Sequence, residues 1–403
     1  MPAKLNWGIL TTGMIARKFA ADLLQSQTGR LVAVGARHLA DAEKFATAFG
    51  AARAHGSYAD LLADPAVEAV YIGTPHPWHA EWAIRAAAAG KHILCEKPLT
   101  LRRADTERVM AAARQHRVLL MEAFMYRLHP QTKKIVELVG SGAIGQLRVI
   151  RASFNVRMKF DPAHRMFNRT LGGGAILDLG CYPVSFARHI AGAAQQRTFA
   201  EPDEFLATGR CHPTAGTDDY ATAVARFPGG ILAELSCGST CREDHSAQIH
   251  GSEGWIDVPN PFAPGLMGQS EKIIVHRGGA RLPEVLVINS PGVGLYAYEA
   301  DAVAAACYMS DLLALHHPSD AVAIYLTAVE IDPNAAYVWN RFGDLLIRME
   351  DYKGAERSYR EALRLGTKQA DHAVVAWASV GLGNLANLSG HDSHGVVRVP
   401  RYA

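Results

Sequence analysis

The sequence predicts an α/β protein: a doubly wound parallel sheet, then a strand-rich second domain, then a helical segment. Three patterns support this prediction. Residues 5–123 alternate short apolar runs with amphipathic stretches, apolar residues recur with period two from about residue 145, and residues 318–366 have helical spacing. Strict alternation of strands and helices implies a parallel sheet that binds its ligands at the carboxyl ends of its strands.

The elements of the first sheet follow one another in order. Buried strands are predicted at 5–10, 31–36, 67–75, 92–96 and 118–123. Helices are predicted between them, from the spacing of apolar residues, at 14–25, 41–50, 78–90 and 103–116. In the second domain the period-two strands include LRVIRASFNV, YATAVARF and ILAELSC, which are separated by Gly and Pro turns.

Composition indicates a globular protein that handles small molecules. The 403 residues are 49% hydrophobic and 20% charged, enough for two or three cores. The net charge of +2 comes from 41 basic and 39 acidic residues without long runs, which gives no reason to expect nucleic acid or an anionic membrane. The six cysteines have no zinc-site spacing, and no segment has the pattern of a signal peptide or a membrane span. We therefore expect reduced thiols and a cytoplasmic location.

The turn after the first strand has the pattern of a dinucleotide site. Thr11, Gly13 and Ala16 match a GxGxxA fingerprint whose first glycine is replaced. Gly13 would let the backbone approach a pyrophosphate, and the helix that begins near Met14 would offer free amide groups and the positive end of its dipole.

The end of the second strand indicates which dinucleotide binds. Selectivity for NAD usually requires Asp or Glu there, whereas this strand ends Gly35-Ala36-Arg37-His38. The Arg37 guanidinium suits the 2′-phosphate of NADP, so NADP is expected and NAD is the less favoured cofactor. The alternative is a solvated loop arginine with no ligand.

Glu96-Lys97-Pro98 ends a predicted strand, where cofactor and substrate meet in such sheets, and the proline restricts the backbone beside the lysine. Five blocks in order, GILTTGMIA, GTPHPWHAEWA, GKHILCEKPLT, MEAFMYRLHPQ and GGGAILDLGCYP, resemble the Gfo/Idh/MocA family of oxidoreductases. The similarity runs from residue 5 to about residue 308 and is nearest to the branch of dihydrodiol dehydrogenases and NADP-dependent xylose dehydrogenases.

The resemblance implies a Rossmann domain over residues 1–122 and, over 123–310, an α/β domain whose open, mostly antiparallel sheet often forms a dimer. It implies catalytic roles for Lys97, Asp178 and Tyr182. The expected cofactor-binding residues are Thr11, Thr12, Gly13, Met14, Ile15, Arg37, His38, Thr74, Pro75, His76, His79, Glu96, Lys97 and Glu122. The expected substrate-facing residues are Tyr126, Arg165 and Asn168, the last two in a loop over the site.

Oxidation of a carbinol needs a base for the hydroxyl proton, and Tyr182 is the candidate. Because a tyrosine ordinarily titrates near pH 10, we expect the charge of Lys97 to lower its pKa. Asp178 would orient substrate hydroxyls or hold Lys97. His76 and His79 have a metal-like spacing, but no third ligand is identifiable, so no metal is expected. Cys181 is expected to be a packed side chain.

The C-terminal segment departs from the family pattern. Ala321, Tyr325 and Ala328 recur after 34 residues as Ala355, Tyr359 and Ala362, so residues 318–388 resemble a tetratricopeptide repeat, and residues 389–403 look irregular. The segment is either a docked helical appendage, or a junction that impairs the enzyme, or a site for a protein partner. For the whole protein, two functions are considered. The first is an NADP-dependent dehydrogenase or reductase acting on a sugar, polyol or cyclic diol. The alternative is a nucleotide-binding protein that is weakly active or inactive and uses the helical segment as an adaptor for a partner.

Overall fold

The computed structural model describes residues 4–242, 245–266, 270–289, 293–314, 336–349 and 351–368, together with 375, 378–382 and 385. The chain divides into two compact units. One consists of Met1–Ala194 and Phe199–Ala304, and the other of Gln195–Thr198 and Ala305–Ala403.

The first unit begins with a parallel sheet of six strands in the order β3-β2-β1-β4-β5-β6. The strands are β1 (Leu5–Leu10), β2 (Gly29–Gly35), β3 (Arg53–His55), β4 (Ala69–Ile72), β5 (His92–Glu96) and β6 (Leu120–Ala123). The helices are α1 (Met14–Leu23), α2 (Leu39–Phe49), α3 (Tyr58–Ala63), α4 (His79–Ala88) and α5 (Arg103–Gln115). This confirms the predicted doubly wound sheet. The strand order reverses between β1 and β4, which places the ligand crevice of such a fold at their carboxyl ends.

The sequence did not predict β3 and α3. Strand β3 is only three residues long, and its side chains are partly or fully exposed, so it has no apolar run to mark it. Strand β3 pairs with β2 at the edge of the sheet.

The second sheet has eight strands in the order β14-β13-β12-β11-β7-β10-β9-β8. It is mostly antiparallel, as expected, with one parallel pair between β7 and β10. The strands are β7 (Leu147–Asn155), β8 (Glu204–Cys211), β9 (Asp218–Phe227), β10 (Ile231–Gly238), β11 (Ser246–Gly251), β12 (Gly254–Val258), β13 (Glu271–Arg277) and β14 (Glu284–Ile288). The helices α6 (Pro130–Gly140) and α7 (Cys181–Ala194) pack against it, and α8 (Ala297–Ala314) follows β14 in the chain.

The two faces of the second sheet differ. Ile231, Ala233 and Leu235 of β10 are buried on the face that α7 packs against. On the other face, Leu232 and Val224 are about half exposed, at 47% and 52%. The same face also holds the half-exposed ion pairs of Arg151 with Glu234 and of Arg226 with Glu204. The sheet therefore has one core face and one open face of mixed character.

The start of α8 returns to the first sheet. Asp301 Oδ1 accepts hydrogen bonds from Ser26 Oγ at 2.5 Å and Thr28 Oγ1 at 2.6 Å, and Asp22 Oδ2 accepts from the amide of Tyr296 at 2.9 Å. These bonds fix the segment that follows the second sheet against α1 and β2.

The second unit contains the helices α9 (Ala336–Arg348) and α10 (Tyr352–Lys368). Tyr359 of α10 packs close to Gly343 and donates a hydrogen bond to Asp344 Oδ1 at 2.6 Å. The first half of the predicted repeat (Ala321, Tyr325 and Ala328), Trp377 and the tail 389–403 lie outside the described residues. The tetratricopeptide-like repeat therefore stays a prediction.

Two features are absent from the described ranges. None of their helices is both long enough and apolar enough to cross a membrane. In the same ranges, no three His, Cys, Asp or Glu side chains are grouped so that they could hold a metal ion.

Candidate active site

The backbone around Lys97, at the end of β5, is held by three side chains. Glu96 accepts a hydrogen bond from Tyr71 Oη at 2.6 Å and one from the amide of Lys97 at 3.3 Å. The Lys97-Pro98 peptide bond is cis. The Pro98 carbonyl oxygen is 2.9 Å from His79 Nδ1, and Glu122 Oε1 accepts from the amide of Leu99 at 2.8 Å.

Asp178 lies on a π-helical turn, Ile176–Gly180, that leads into α7. Asp218, at the start of β9, accepts a hydrogen bond from the amide of Ile176 at 2.5 Å. Gly174 has φ of 119°, and a side chain there would collide with the carboxylate of Asp218. Gly174 is thus required by the close approach of Asp218, which orients the turn that carries Asp178.

Lys97 and Asp178 form an ion pair between the two sheets of the first unit. Lys97 Nζ donates to the carbonyl oxygen of Asp178 at 2.8 Å and to its Oδ1 at 3.2 Å. Arg165 Nη2 donates to the same Oδ1 at 2.8 Å. The side chains of Lys97 and Asp178 are only 13% and 12% exposed, so water screens this pair weakly.

The charges of this cluster follow from its geometry. Burial raises the pKa of Asp178, but the charges of Lys97 and Arg165 outweigh that effect and hold it well below its ordinary value. For Lys97 the directions are reversed. Burial lowers its pKa, but the charge of the Asp178 carboxylate outweighs burial and raises the pKa above its ordinary value. Lys97 is therefore an ammonium and Asp178 a carboxylate at neutral pH.

His76 stands at the rim of the same cluster. Its Nδ1 is 3.3 Å from the carbonyl oxygen of Gly172, and its Nε2 is 3.9 Å from Asp178 Oδ1 and 3.5 Å from Arg165 Nη1. Burial and the charge of Arg165 lower the pKa of His76 to about 4. His76 is therefore neutral at physiological pH.

The structure contradicts the expectation that Lys97 lowers the pKa of Tyr182. Tyr182 is 3% exposed, and its hydroxyl donates to Met125 Sδ at 3.4 Å. Lys97 Nζ lies over the face of the ring, 4.8 Å from its centroid, instead of beside the hydroxyl. Burial and the charge of Glu96 raise the pKa of Tyr182 well above 10. Because the lysine approaches the aromatic face and not the hydroxyl, its charge does not outweigh burial, and the phenol stays protonated.

The carboxyl ends of β1 and β4 have features that fit a dinucleotide. A Cβ atom added to Gly13 would have Thr11 Oγ1, at 3.8 Å, as its nearest neighbour, so the backbone is open to a ligand. Among the described residues, no side chain caps the amino end of α1. Thr74 Oγ1, just beyond β4, is buried and has no hydrogen-bond partner in the part of the chain the structure describes. These groups could receive phosphate and hydroxyl oxygens.

The other predicted cofactor residues fall into two groups. An outer group lies along the rim of the first sheet and consists of Thr12, Met14, Ile15, Arg37, His38 and Pro75. Met14 of this group is 78% exposed. An inner group bonds to protein atoms behind the turns. His79 and Glu122 bond to the backbone near Lys97, as given above, and Glu96 bonds to Tyr71.

Two predicted substrate-facing residues have protein partners. Asn168 Oδ1 accepts from the amide of Thr170 at 2.9 Å, which stabilises its own turn. The hydroxyl of Tyr126 is 2.7 Å from Ser185 Oγ and is buried. Arg165 is the member of the predicted set that the structure brings to Asp178.

Two further charged groups lie near the site, and sequence reasoning missed the second of them. Arg127 donates to Ser185 Oγ from Nε at 2.9 Å and stacks over Phe124. Glu299 of α8 is fully buried, and neither carboxylate oxygen has a partner among the described residues. Burial and the charge of Glu96 raise the pKa of Glu299 well above its ordinary value. The sequence signal that could have indicated Glu299 is its position within the mostly apolar stretch YAYEADAVAAA.

The first sheet has the topology of a Rossmann fold, and its crevice holds the buried ammonium of Lys97. A second, mostly antiparallel sheet lies beside this crevice. Together these features are typical of a Rossmann-fold oxidoreductase. Comparison with known proteins supports this class. Residues 5–124 match the model of the oxidoreductase family with an NAD-binding Rossmann fold, and residues 132–257 match the Gfo/Idh/MocA C-terminal domain. The chain belongs to the Gfo/Idh/MocA family of oxidoreductases.

Several individual relatives are similar to this chain. The trans-1,2-dihydrobenzene-1,2-diol dehydrogenase of Mus musculus is 38% identical over 262 residues, which are 64% of this chain and 76% of that protein. The human enzyme of the same name is 36% identical over 259 residues, 64% of this chain and 75% of that protein.

Solved structures have the same architecture. KijD10, a 3-ketoreductase from Actinomadura kijaniata solved with NADP and TDP-benzene, has a TM-score of 0.67 and 29% identity, over 75% of this chain and 89% of that one. An aldose-aldose oxidoreductase from Caulobacter crescentus has a TM-score of 0.69 and 24% identity over 76% of this chain and 90% of that one, and supports the fold alone.

Proposed function

We propose that this protein is an NADP-dependent oxidoreductase that interconverts a carbinol and a carbonyl group on a sugar, polyol or cyclic diol. The observation that carries the proposal is the Lys97 ammonium, held by Asp178 at the carboxyl end of β5. The names of the relatives, a dihydrodiol dehydrogenase and a 3-ketoreductase, agree with this class of substrate.

The dinucleotide would be held along the rim of the first sheet. The turn of Thr11–Ile15 would receive the pyrophosphate, Thr74 Oγ1 a hydroxyl or amide group, and Arg37 the 2′-phosphate. When bound, the nicotinamide supplies or accepts the hydride.

Lys97 would act on the reacting oxygen as a charged donor. An ammonium group has three N–H donors, and two of those of Lys97 bond to Asp178. The third is available to the substrate oxygen, where its charge stabilises negative charge in the transition state. Because its pKa is raised, Lys97 is a donor and not a base. Asp178 fixes the position of the ammonium, and Arg165 beside it would bind further substrate hydroxyls.

Tyr182 would transfer the proton. Its raised pKa keeps the phenol protonated, which suits donation to an oxygen that becomes an alkoxide, so reduction is favoured at neutral pH. Its hydroxyl must leave Met125 Sδ to do so. In the oxidative direction the same group must lose its proton, so the rate of oxidation should rise with pH.

The proposal is tested by mixing the purified full chain with NADPH and a panel of aldoses, keto sugars and cyclic diones, and following the loss of NADPH fluorescence. Oxidation of the matching polyols and diols by NADP is followed in the reverse direction. Turnover of members of either panel is expected. Binding of NADPH without turnover of any member would contradict the proposed activity and favour the nucleotide-binding adaptor.

The Arg37→Ala variant should weaken NADPH binding about 10- to 100-fold, the size of one lost charge-assisted hydrogen bond, and should change NADH binding little. Fluorescence titration with both cofactors measures this. The exposed Arg114→Ala in α5 is the matched control. Equal losses for NADPH and NADH would show that Arg37 does not bind the 2′-phosphate.

We also propose that two copies pair through the open face of the second sheet. That face exposes Leu232 of β10 and Val224 of the adjacent β9, and Val285 and Val287 of β14 at the far edge of the sheet, and grouped exposed apolar side chains are typical of interfaces. Leu232→Glu should convert a dimer into a monomer in analytical ultracentrifugation. An unchanged sedimentation coefficient at the same concentration would contradict pairing through this face.

A further inference from the structure

His79, the first residue of α4, occupies an unusual position between two carbonyl groups. The ring has no exposed surface. Its Nδ1 is 2.9 Å from the carbonyl oxygen of Pro98, and its Nε2 is 2.7 Å from the carbonyl oxygen of Thr74. The imidazole therefore joins the turn after β4 to the turn after β5, and both of its nitrogens lie within hydrogen-bond distance of backbone carbonyls.

The contact with Pro98 holds the peptide group between Pro98 and Leu99, which Glu122 holds through a second hydrogen bond. The Pro98 carbonyl faces His79, while the amide of the same peptide group, on Leu99, donates to Glu122 Oε1 at 2.8 Å. This peptide group is one residue beyond Lys97. Its orientation therefore determines where the Lys97 side chain begins.

We propose that His79 is a positioning residue for Lys97, acting through the Pro98 carbonyl. The proposal rests on the proposed catalytic role of Lys97. A hydrogen bond from Nδ1 to the Pro98 oxygen fixes the Pro98-Leu99 peptide, and with it the direction in which the ammonium of Lys97 points toward Asp178 and the substrate.

The two contacts of the ring do not have equal consequences. A neutral imidazole has one N–H group and can donate to one of the two carbonyls. Burial lowers the pKa of His79, and the two carbonyls act in the opposite direction. The positive charges of Lys97 and Arg165, which face the ring, lower this pKa further. The ring of His76, 5.6 Å away, is the other titratable neighbour. The tautomer that carries its proton on Nδ1 is the one that positions Lys97.

Two substitutions separate the two contacts. His79→Asn places an amide N–H near the position of Nδ1 and keeps the bond to Pro98, whereas His79→Gln reaches the position of Nε2 and keeps the bond to Thr74. Full chains of both variants are compared for kcat, for NADPH affinity by fluorescence, and for melting temperature. We expect kcat within about threefold of the wild type for Asn and roughly 100-fold lower for Gln, the size of an effect of about 1 Å of misplacement. Any loss of NADPH affinity should appear in the Asn variant, which releases the Thr74 carbonyl, and not in the Gln variant, so affinity and kcat respond to different contacts.

Equal kcat values for the two folded variants, or a larger loss for Asn than for Gln, would overturn the positioning role, because a residue that only fills space does not distinguish the two nitrogens. Lys97→Met is measured in parallel. If Lys97→Met retains turnover, the proposed catalytic role itself fails. If Lys97→Met is inactive while the Asn and Gln variants are alike, the positioning proposal alone fails.

Discussion

Replacing Lys97 by methionine should lower kcat by roughly two to four powers of ten, in the range for removal of a group that acts on the reacting proton or charge. Methionine keeps most of the length and the apolar contacts of the side chain but removes the ammonium that donates to Asp178 at 2.8 Å and 3.2 Å. Because Arg165 still donates to Asp178 Oδ1, the carboxylate keeps a partner and the fold should persist.

The measurement is steady-state turnover of whichever substrate the wild type accepts, with NADPH affinity determined separately. Cofactor affinity should change little, since the features that fit the phosphates lie at β1 and β4. Lys353→Met, the same change at an exposed lysine of α10, is the matched control and should leave kcat unaltered. A Lys97→Met variant as active as this control would contradict the proposed role.

The Tyr182→Phe variant should also lose roughly two to four powers of ten in turnover while it still binds NADPH. The physical reason is the loss of the proton donor, since the ring and its contact with Lys97 remain. The pH dependence gives a second measurement. The pKa of Tyr182 is raised, so the phenol is protonated at neutral pH, and the wild-type rate of oxidation should climb as the pH rises toward that pKa.

In the phenylalanine variant the residual rate of oxidation should no longer climb in this way. The Tyr352→Phe change in α10 serves as the control for loss of a tyrosine hydroxyl elsewhere. If the variant and the wild type had the same pH profile and the same turnover, Tyr182 would not be the proton-transfer group.

The fold of the first sheet could be predicted from sequence because each strand is a short buried run and each helix has an amphipathic period. β1 and β5 were predicted with the observed limits, Leu5–Leu10 and His92–Glu96. Strand β3 could not be predicted, because its three residues do not form an apolar run. The second domain was predicted in outline, but the parallel pairing of β7 with β10 depends on contacts between residues far apart in the chain.

The residues of the site could be predicted more easily than their chemistry. Motif order indicated Lys97 and Asp178, and the loop ahead of the glycine run indicated Arg165; the structure brings these three side chains together. The direction of the Tyr182 pKa shift could not be predicted, because it depends on the burial of the phenol and on the charge of Glu96 near it, which only the folded structure shows. The same limit applies to His79, whose two carbonyl partners come from turns that only the folded sheet brings together.

The most direct test of the central claim, that NADP and substrate meet at Lys97, is a crystal structure of the protein with NADP and a substrate found in the screen. The account predicts the pyrophosphate at the amino end of α1 and a substrate oxygen within hydrogen-bond distance of Lys97 Nζ, between Asp178 and the nicotinamide. A bound nicotinamide remote from Lys97, or a substrate oxygen that contacts neither Lys97 nor Tyr182, would contradict it.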